Sequence, residues 1–179
     1  MRYVPSFLIL LSSLASGYTP FCSVAVAQTD SKSARLSLKG FPGIFVLVDK
    51  LQPDAELDGL SSSQIQTDVE LRLKTAGVKV LTMEEMLKVP GMPTLFVDVN
   101  TLKRQTSYLY SIEVSLQQNV RLDRDPTDLF IAPTWKIGAV GSVGATNIIQ
   151  IGNGIRDEVD RFINAYLSVN QKDPQAKNP

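Results

Sequence analysis

The chain has 179 residues, 44% of them hydrophobic and 20% charged, and its 18 Lys and Arg residues balance its 18 Asp and Glu residues. This length is typical of one globular domain, and without a basic excess there is no electrostatic attraction for nucleic acid or anionic lipid. The sequence contains no histidine, which excludes Ser-His-Asp and Cys-His nucleophile arrangements and the commonest zinc ligand sets. Because the charges balance, we expect no nucleic-acid partner.

The first 27 residues have the composition of a secretory signal peptide. Arg2 supplies a positive charge, residues 7 to 14 form a short apolar segment, and Ala25-Val26-Ala27 is an A-x-A cleavage site. A membrane anchor would need about 20 continuous apolar residues, and Gly17 and Pro20 interrupt this segment. We predict cleavage after residue 27 and export, to the periplasm of a bacterium first and to the extracellular space as the alternative.

Cleavage at that point also removes Cys22, the single cysteine of the chain. The mature chain would then have no thiol for a disulfide, a metal or a nucleophile, and its fold would depend on packing alone. A lipid anchor on Cys22 would need small and aliphatic residues before it, whereas Thr19-Pro20-Phe21 contains a proline and an aromatic ring. We therefore expect no stable membrane insertion after cleavage.

We predict that the remaining chain divides into a polar lead at residues 28 to 40, a single domain at residues 41 to 170 and a disordered tail at residues 171 to 179. The domain opens with a continuous apolar run at residues 43 to 48, which follows a Pro-Gly turn. Such a run is typical of a strand that is buried on both faces. We predict that this strand lies in the centre of a sheet.

A helix is predicted after this strand. Ser61 can cap its start, with Gln64 completing a capping box, and Gly77 stands where a left-handed C-cap is expected. Residues 78 to 81 are predicted as a second strand, so that strand, helix and strand form a right-handed parallel crossover. A short helical turn follows at residues 82 to 87. The apolar face of the helix consists of Ile65, Val69, Leu73 and Ala76.

The second half of the chain has the period of two that marks half-buried strands. Residues 95 to 100 form one such strand, and residues 108 to 122 form the longest one, at roughly 50 Å when fully extended. That length predicts a bend or bulge near Gln118 or, alternatively, a hairpin that projects beyond the domain. A polar turn at residues 123 to 128 then leads to a third strand at residues 134 to 141.

The chain ends in a helix that Gly152 and Gly154 weaken near its start, by up to about 1 kcal/mol each, so that its firm part is predicted from Ile155. Its apolar stripe comprises Ile148, Ile151, Ile155, Val159, Phe162, Ile163 and Tyr166. Together the elements predict an α+β fold. It consists of a mixed β-sheet, a βαβ unit followed by an antiparallel meander, with two main helices packed on one face.

Carboxylates are the remaining candidates for catalysis or for binding a hard cation. The acidic loops at residues 54 to 58 and 123 to 128 lack the Gly and Glu positions of an EF-hand, and we interpret them as solvated turns. Asp49 and Asp98 lie on or after predicted strands, but the sequence supplies no partner for either. We therefore predict no catalytic residue, no cofactor and no metal.

One polar row remains as a candidate for binding a partner. It lies on the long strand, opposite the apolar face, and carries few charges. An ordinary solvent-exposed sheet face would have the same pattern. The functional interpretation is that this row binds another strand or the surface of a partner. The candidate residues are Ser111, Glu113, Ser115, Gln117, Asn119 and Arg121.

Several segments resemble a family of uncharacterised exported bacterial proteins. They are residues 75 to 80, 110 to 114, 120 to 122, 134 to 135 and 162 to 170. In element order the chain is also similar to small α/β domains of envelope accessory proteins, such as the TolB N-terminal domain and curli-secretion types, although it lacks the lipobox of the lipid-anchored members. These resemblances imply a fold and a compartment without an activity.

These features predict a non-enzymatic secreted or periplasmic domain that binds another cell-envelope protein through the polar row or through a sheet edge. The first alternative is a small-ligand carrier, with a pocket between the sheet and a last helix that Gly152 and Gly154 loosen. A third, less favoured interpretation is a carboxylate-dependent hydrolase that uses Asp49 or Asp98. The sequence leaves the oligomeric state open.

Overall fold

The structure, a computed structural model, describes residues 26 to 28 and 30 to 170. In chain order the elements are β1 Val26–Gln28, α1 Lys32–Leu36, β2 Phe45–Val48, α2 Pro53–Leu57, α3 Ser62–Thr75, α4 Met83–Met86, β3 Thr94–Lys103, β4 Ser107–Leu122, β5 Asp125–Gly144, a 3-10 helix Ala145–Gln150 and α5 Ile151–Asn170. The predicted tail at residues 171 to 179 lies outside the described residues. So does the predicted signal peptide, except for Val26 and Ala27 of β1.

The five strands form one mixed sheet in the order β1-β5-β4-β3-β2. β2 is parallel to β3, and the other neighbouring strands are antiparallel. The two long helices pack on one face, where α3 contacts β2 and α5 contacts β4, β5 and α3. The predicted α+β class, with a mixed sheet and two main helices on one face, is confirmed. None of the helices within the described residues is long and apolar enough to cross a membrane.

The parallel crossover joins β2 to β3 and not to the strand predicted at residues 78 to 81. That segment makes a single parallel bridge, between Ile44 and Val80. The chain leaves the sheet directly afterwards because Thr82 and Glu85 form a reciprocal capping box that starts α4. The predicted second strand is therefore reduced to one bridge, while the predicted helical turn is present as α4.

β2 lies at the edge of the sheet, so the prediction of a central strand is wrong. Leu47 is exposed, and only Val46 of this strand is fully buried. The outer backbone of β2 is paired by a side chain: Gln66 of α3 donates from Nε2 to the carbonyl of Val46 (2.9 Å) and accepts from the N–H of Val48 (3.2 Å). The Gln66 amide thus takes the place of a neighbouring strand and closes this edge.

α3 has the predicted start and end. The hydroxyl of Ser61 accepts from the N–H of Gln64 (3.3 Å), and Gly77 follows the helix with φ of +80°. The Gln64 side chain does not complete a capping box; it donates to Asp68 (2.8 Å). The buried residues of the helix are Ile65, Val69 and Leu73. The apolar stripe that the sequence predicts is therefore the face that packs into the core.

β4 and β5 form a hairpin that is longer than the rest of the sheet. β5 begins at Asp125, earlier than the predicted start at residue 134. The register of the pair shifts between Leu116 and Gln117, where Thr134 is left over as a bulge. β3 pairs with β4 only as far as Gln117, so the hairpin projects beyond it. Both outcomes that the strand length predicts, a bulge close to Gln118 and a projecting hairpin, occur together.

Residues 30 to 41 pack against α5, and they are part of the domain and not a polar lead. Leu38 is fully buried in the core. The Asn170 side chain donates to the carbonyl of Leu38 (2.8 Å) and accepts from the N–H of Gly40 (2.9 Å). The sequence pattern missed this contact because a single apolar residue in a polar segment has no periodicity.

Asp30 connects the segment of residues 30 to 41 to the core. Its carboxylate accepts from Nε and Nη2 of Arg35 (2.7 and 2.5 Å) and from the indole N–H of the buried Trp135 (3.0 Å). The Trp135 ring packs edge-on against Phe162, with 5.2 Å between ring centroids. The Arg35 hydrogen bond is the main cause of a lowered pKa at Asp30; the bond from Trp135 adds to it, and burial opposes it.

We expect the Gln66→Ala variant to lose about 1 to 2 kcal/mol of unfolding free energy, because two hydrogen bonds at the β2 edge are lost. Urea unfolding of the purified protein measures this. Gln64→Ala is the matched control, since Gln64 is on the same helix and its side chain makes an exposed hydrogen bond, to Asp68; the loss of unfolding free energy should stay under about 0.5 kcal/mol. Equal losses in the two variants would contradict the role assigned to Gln66.

We expect the Asp30→Ala variant to lose about 1 to 3 kcal/mol of unfolding free energy, because the buried indole N–H of Trp135 is left without an acceptor. Arg35→Ala removes a half-exposed ion pair only and should cost no more than about 1 kcal/mol. Because the pKa of Asp30 is lowered on folding, its contribution to stability is complete above the ordinary carboxyl value of 3.8 and disappears as the pH falls through the lower, folded value. Thermal unfolding should therefore show the wild-type advantage shrinking below about pH 4.

Candidate functional site: the open face of the sheet

The second face of the sheet is opposite α3 and α5, and we call it the open face. Leu95, Val97 and Val99 of β3 point to the helices and are buried, so the residues between them point to the other side. Cross-strand pairing extends this assignment to the neighbouring strands. The open face comprises Phe96, Asp98, Asn100 and Leu102 of β3, Leu109, Ser111, Glu113 and Ser115 of β4, and Lys136, Val140 and Ser142 of β5.

One end of the open face is apolar. Leu102 and Leu109 are direct cross-strand neighbours, and Val140 lies on the adjacent strand. The three side chains are 53%, 44% and 45% exposed. They border a shallow depression of about 550 Å³. We call these three residues the apolar patch.

The middle of the open face is charged. Asp98 lies directly opposite Glu113, whose carboxylate accepts from Nζ of Lys136 at 3.1 Å. A second depression of about 290 Å³ lies between these residues. Two carboxylates and one ammonium group give this part of the surface a net negative charge, so the open face offers an apolar area next to an acidic one.

The structure places three of the six predicted residues on the three-stranded part of this face. Ser111 and Glu113 lie at its centre. Ser115 is only 1% exposed, and its hydroxyl has no hydrogen-bond partner among the described residues. Its direct cross-strand neighbours are the much larger Phe96 and Lys136. Ser111 and Glu113 are therefore accessible to a partner, whereas Ser115 lies beneath the surface.

The other three predicted residues lie at or beyond the bulge. Gln117 is the last residue of β4 that pairs with β3, and the backbone N–H of Asn119 donates to the carbonyl of Gly91 (2.8 Å). The guanidinium of Arg121 donates to the carbonyl of Thr127 (3.0 Å) and so is engaged by its own hairpin turn. The predicted row is thus divided into a sheet part and a hairpin part.

The sequence interpretation missed the apolar patch. Leu109 lies between Tyr108 and Tyr110, at a position that the alternation assigns to the polar face. An apolar residue at such a position was the signal in the sequence that could have indicated the patch. Leu102 and Val140 become its neighbours only through cross-strand register, which local periodicity does not contain. The patch therefore depends on the pairing of three strands.

Asp98 is a titratable group of the open face whose pKa differs from its ordinary value. Burial is the main cause of its raised pKa, and the negative charges of Asp49 and Glu113 raise it further, against a hydrogen bond from Asn100 (2.8 Å). The structure thus brings Asp49 and Asp98, the two carboxylates named from the sequence, into one electrostatic cluster. Within the described residues no group of three His, Cys, Asp or Glu side chains has the arrangement of a metal site.

The region between the sheet and the last helix is tightly packed near the two glycines. A methyl group added at Gly154 would lie 2.9 Å from Cδ1 of Ile112 on β4. Gly152 borders a depression of about 390 Å³, but no strand residue lines it. α5 begins at Ile151, ahead of the predicted Ile155. These contacts favour a closed core over a ligand pocket between the sheet and α5.

No protein-family model matches the chain, and no curated protein is similar to it in sequence. The resemblance to exported bacterial proteins and to envelope accessory domains therefore stays a prediction. Functional inference depends on the chemistry of the open face and of the sheet edges.

We expect the Asp98→Asn variant to unfold at a higher temperature than the wild type at pH 7. A raised pKa means that the folded state binds the proton more tightly than the unfolded chain, so ionisation of Asp98 removes stability as the pH rises. The amide avoids this loss, and the difference in midpoint should shrink as the pH falls through the raised pKa of Asp98 toward the ordinary carboxyl value of 3.8, because the wild-type carboxyl then also becomes protonated. Circular dichroism measures both midpoints.

Asp123→Asn is the control for this experiment, because Asp123 is exposed at the hairpin turn. Its effect on unfolding free energy should stay within about 0.5 kcal/mol. An Asp98→Asn midpoint equal to that of the wild type at pH 7 would contradict the assigned environment of Asp98.

Proposed function

We propose that this protein is an exported, non-enzymatic domain that binds another cell-envelope protein through its open face. The observation that carries the proposal is the apolar patch of Leu102, Leu109 and Val140, which is exposed on a sheet whose other face is covered by helices. Exposed apolar clusters with polar surroundings are typical of interaction sites, since their burial is favourable only when a partner covers them.

The chemistry of the open face limits what such a partner presents. Its central contact would be an apolar or aromatic side chain over Leu102 and Leu109. Next to it, the acidic pair of Asp98 and Glu113 would favour a basic group, because a like charge there would be repelled. Ser111 lies between the two areas and can donate or accept a hydrogen bond.

Export is supported by the N-terminal pattern of a positive charge, an apolar segment and the A-x-A site. A chain that starts at Gln28 has neither cysteine nor histidine, which agrees with a protein that acts by binding. The carboxylates Asp49 and Asp98 interact electrostatically, but the Asp98 carboxylate already accepts a hydrogen bond from Asn100 (2.8 Å). We therefore favour binding over hydrolysis.

The test is crosslinking in the intact cell envelope with the full chain carrying a C-terminal tag, followed by mass spectrometry of the recovered material. We expect the wild type to recover a defined protein, and Leu109→Lys to recover at least tenfold less of it, because a charge would have to be buried at the centre of the contact. Circular dichroism confirms that the variant is folded.

Leu71→Lys is the matched control, since Leu71 is also an exposed leucine (61%, against 44% for Leu109) but lies on α3, on the helix side of the sheet. It should recover the same protein as the wild type. Equal recovery by the Leu109→Lys variant would contradict the proposed surface. A chain that recovers no protein but carries a co-purified small molecule would favour the carrier function instead.

A further inference from the structure

The two edges of the sheet are protected to very different degrees. At the β2 edge, the Gln66 side chain pairs with the outer backbone. At the β5 edge, residues 137 to 144 read Ile-Gly-Ala-Val-Gly-Ser-Val-Gly, without a charge or a proline. Soluble proteins normally protect an exposed edge with charged residues, proline or a bulge, because its free N–H and C=O groups attract another strand. This stretch of β5 has none of these features.

Within the described residues, β1 is the strand that covers this edge. It pairs antiparallel to β5, with Val26 opposite Ala139, Ala27 opposite Gly138 and Gln28 opposite Ile137. Its three residues cover only the first part of the stretch. Val140 lies past the end of β1 and is 45% exposed. The edge therefore accepts an antiparallel strand and has room for a longer one than β1.

The predicted cleavage site lies inside β1. Cleavage after Ala27 would remove Val26 and Ala27 and would leave Gln28 as the only residue of this strand. A single residue cannot maintain a strand ladder. The mature chain would consequently have an uncovered β5 edge over all of residues 137 to 144.

We propose that the mature protein forms a two-fold dimer in which β5 pairs with β5 of a second copy over residues 137 to 144, joining two sheets into one, and that the uncleaved chain is kept monomeric by β1. This inference rests on the export that is part of the proposed function. It concerns an edge of the sheet, whereas the proposed envelope partner binds the open face; Val140 belongs to both surfaces, and Leu109 belongs to the open face alone.

A second copy fits this edge for two reasons. A two-fold axis makes equivalent strands antiparallel, which is the direction in which β1 already pairs with β5. The stretch carries no charge, so the two copies place no like charges opposite each other. Its eight residues extend roughly 26 Å at about 3.3 Å each, which is longer than most edge strands.

The same sequence defines where the pairing would end. Pro133 has no N–H to donate, and Lys136 brings a charge to the near end of the stretch. At the far end, the N–H of Ala145 donates to the carbonyl of Thr106 (3.0 Å), and the chain turns into the 3-10 helix. The self-pairing edge is thereby confined to the uncharged stretch.

The test uses the full chain, expressed with its own N-terminus and a C-terminal tag, and purified from the envelope. Intact-mass spectrometry identifies the first residue, and light scattering after size-exclusion chromatography gives the oligomeric state. We expect a chain that starts at Gln28 and is a dimer. Val140→Lys should raise the dimer dissociation constant at least tenfold, because two lysines would meet near the two-fold axis.

Leu109→Lys is the matched control. Leu109 and Val140 have almost the same exposure and both lie on the open face, but Leu109 belongs to β4 in the interior of the sheet. Its substitution should leave the dimer unchanged. A second comparison uses Ala27→Leu, which replaces the small residue required at the cleavage site and so prevents cleavage. This uncleaved chain should be a monomer when it and the wild type are measured in the same detergent.

Each other outcome overturns the inference in a recognisable way. A monomeric chain that starts at Gln28 rejects the dimer and leaves the proposed export standing. A wild-type chain that retains residues before Gln28 rejects cleavage after Ala27, and with it the uncovered edge. Equal weakening by Val140→Lys and Leu109→Lys places self-association on the open face and not on the edge. A dimer of the uncleaved Ala27→Leu chain shows that β1 does not control it.

Discussion

The fold depends on the packing of α5 across β4 and β5. Phe162 of this helix meets Trp135 of β5 edge-on, and Tyr166, one turn later, donates to the carbonyl of Phe41 (3.2 Å). One helix therefore holds the sheet on one side and the N-terminal segment on the other. Because both long helices lie on the same face, the opposite face has no cover from the described chain, and the exposure of the open face follows from this asymmetry.

A second constraint is the mismatch in length between the strands. β4 and β5 continue past the point where β3 begins, and the bulge at Thr134 lies where pairing with β3 ends. Gln118 stabilises it by donating from Nε2 to the hydroxyl of Thr134 (2.6 Å) and to the carbonyl of Ser37 (3.1 Å). The projecting hairpin is thus attached to the same N-terminal segment that α5 holds.

The sequence was sufficient for elements whose signal is local. The capped, periodic α3 and the alternation of β3 and β4 each follow from side chains within one element. The position of β2 was not predictable in this way, because an apolar run looks the same at a centre and at an edge, and Gln66 pairs with it from another element. The burial of Ser115 likewise depends on its neighbours Phe96 and Lys136 on other strands. Of the candidate site, the pattern therefore located Ser111 and Glu113 but not the apolar patch.

The anchoring of Asp30 by Trp135 and Arg35 also bears on the order of events during biosynthesis. Asp30 is only three residues from Ala27, which itself lies within β1. A peptidase needs its target bond accessible in an extended segment, and a bond whose backbone groups are paired in a strand ladder is extended but not accessible. If residues 1 to 27 are removed, cleavage must precede the docking of this segment. The speed of folding relative to translocation would then decide how much of the chain is processed.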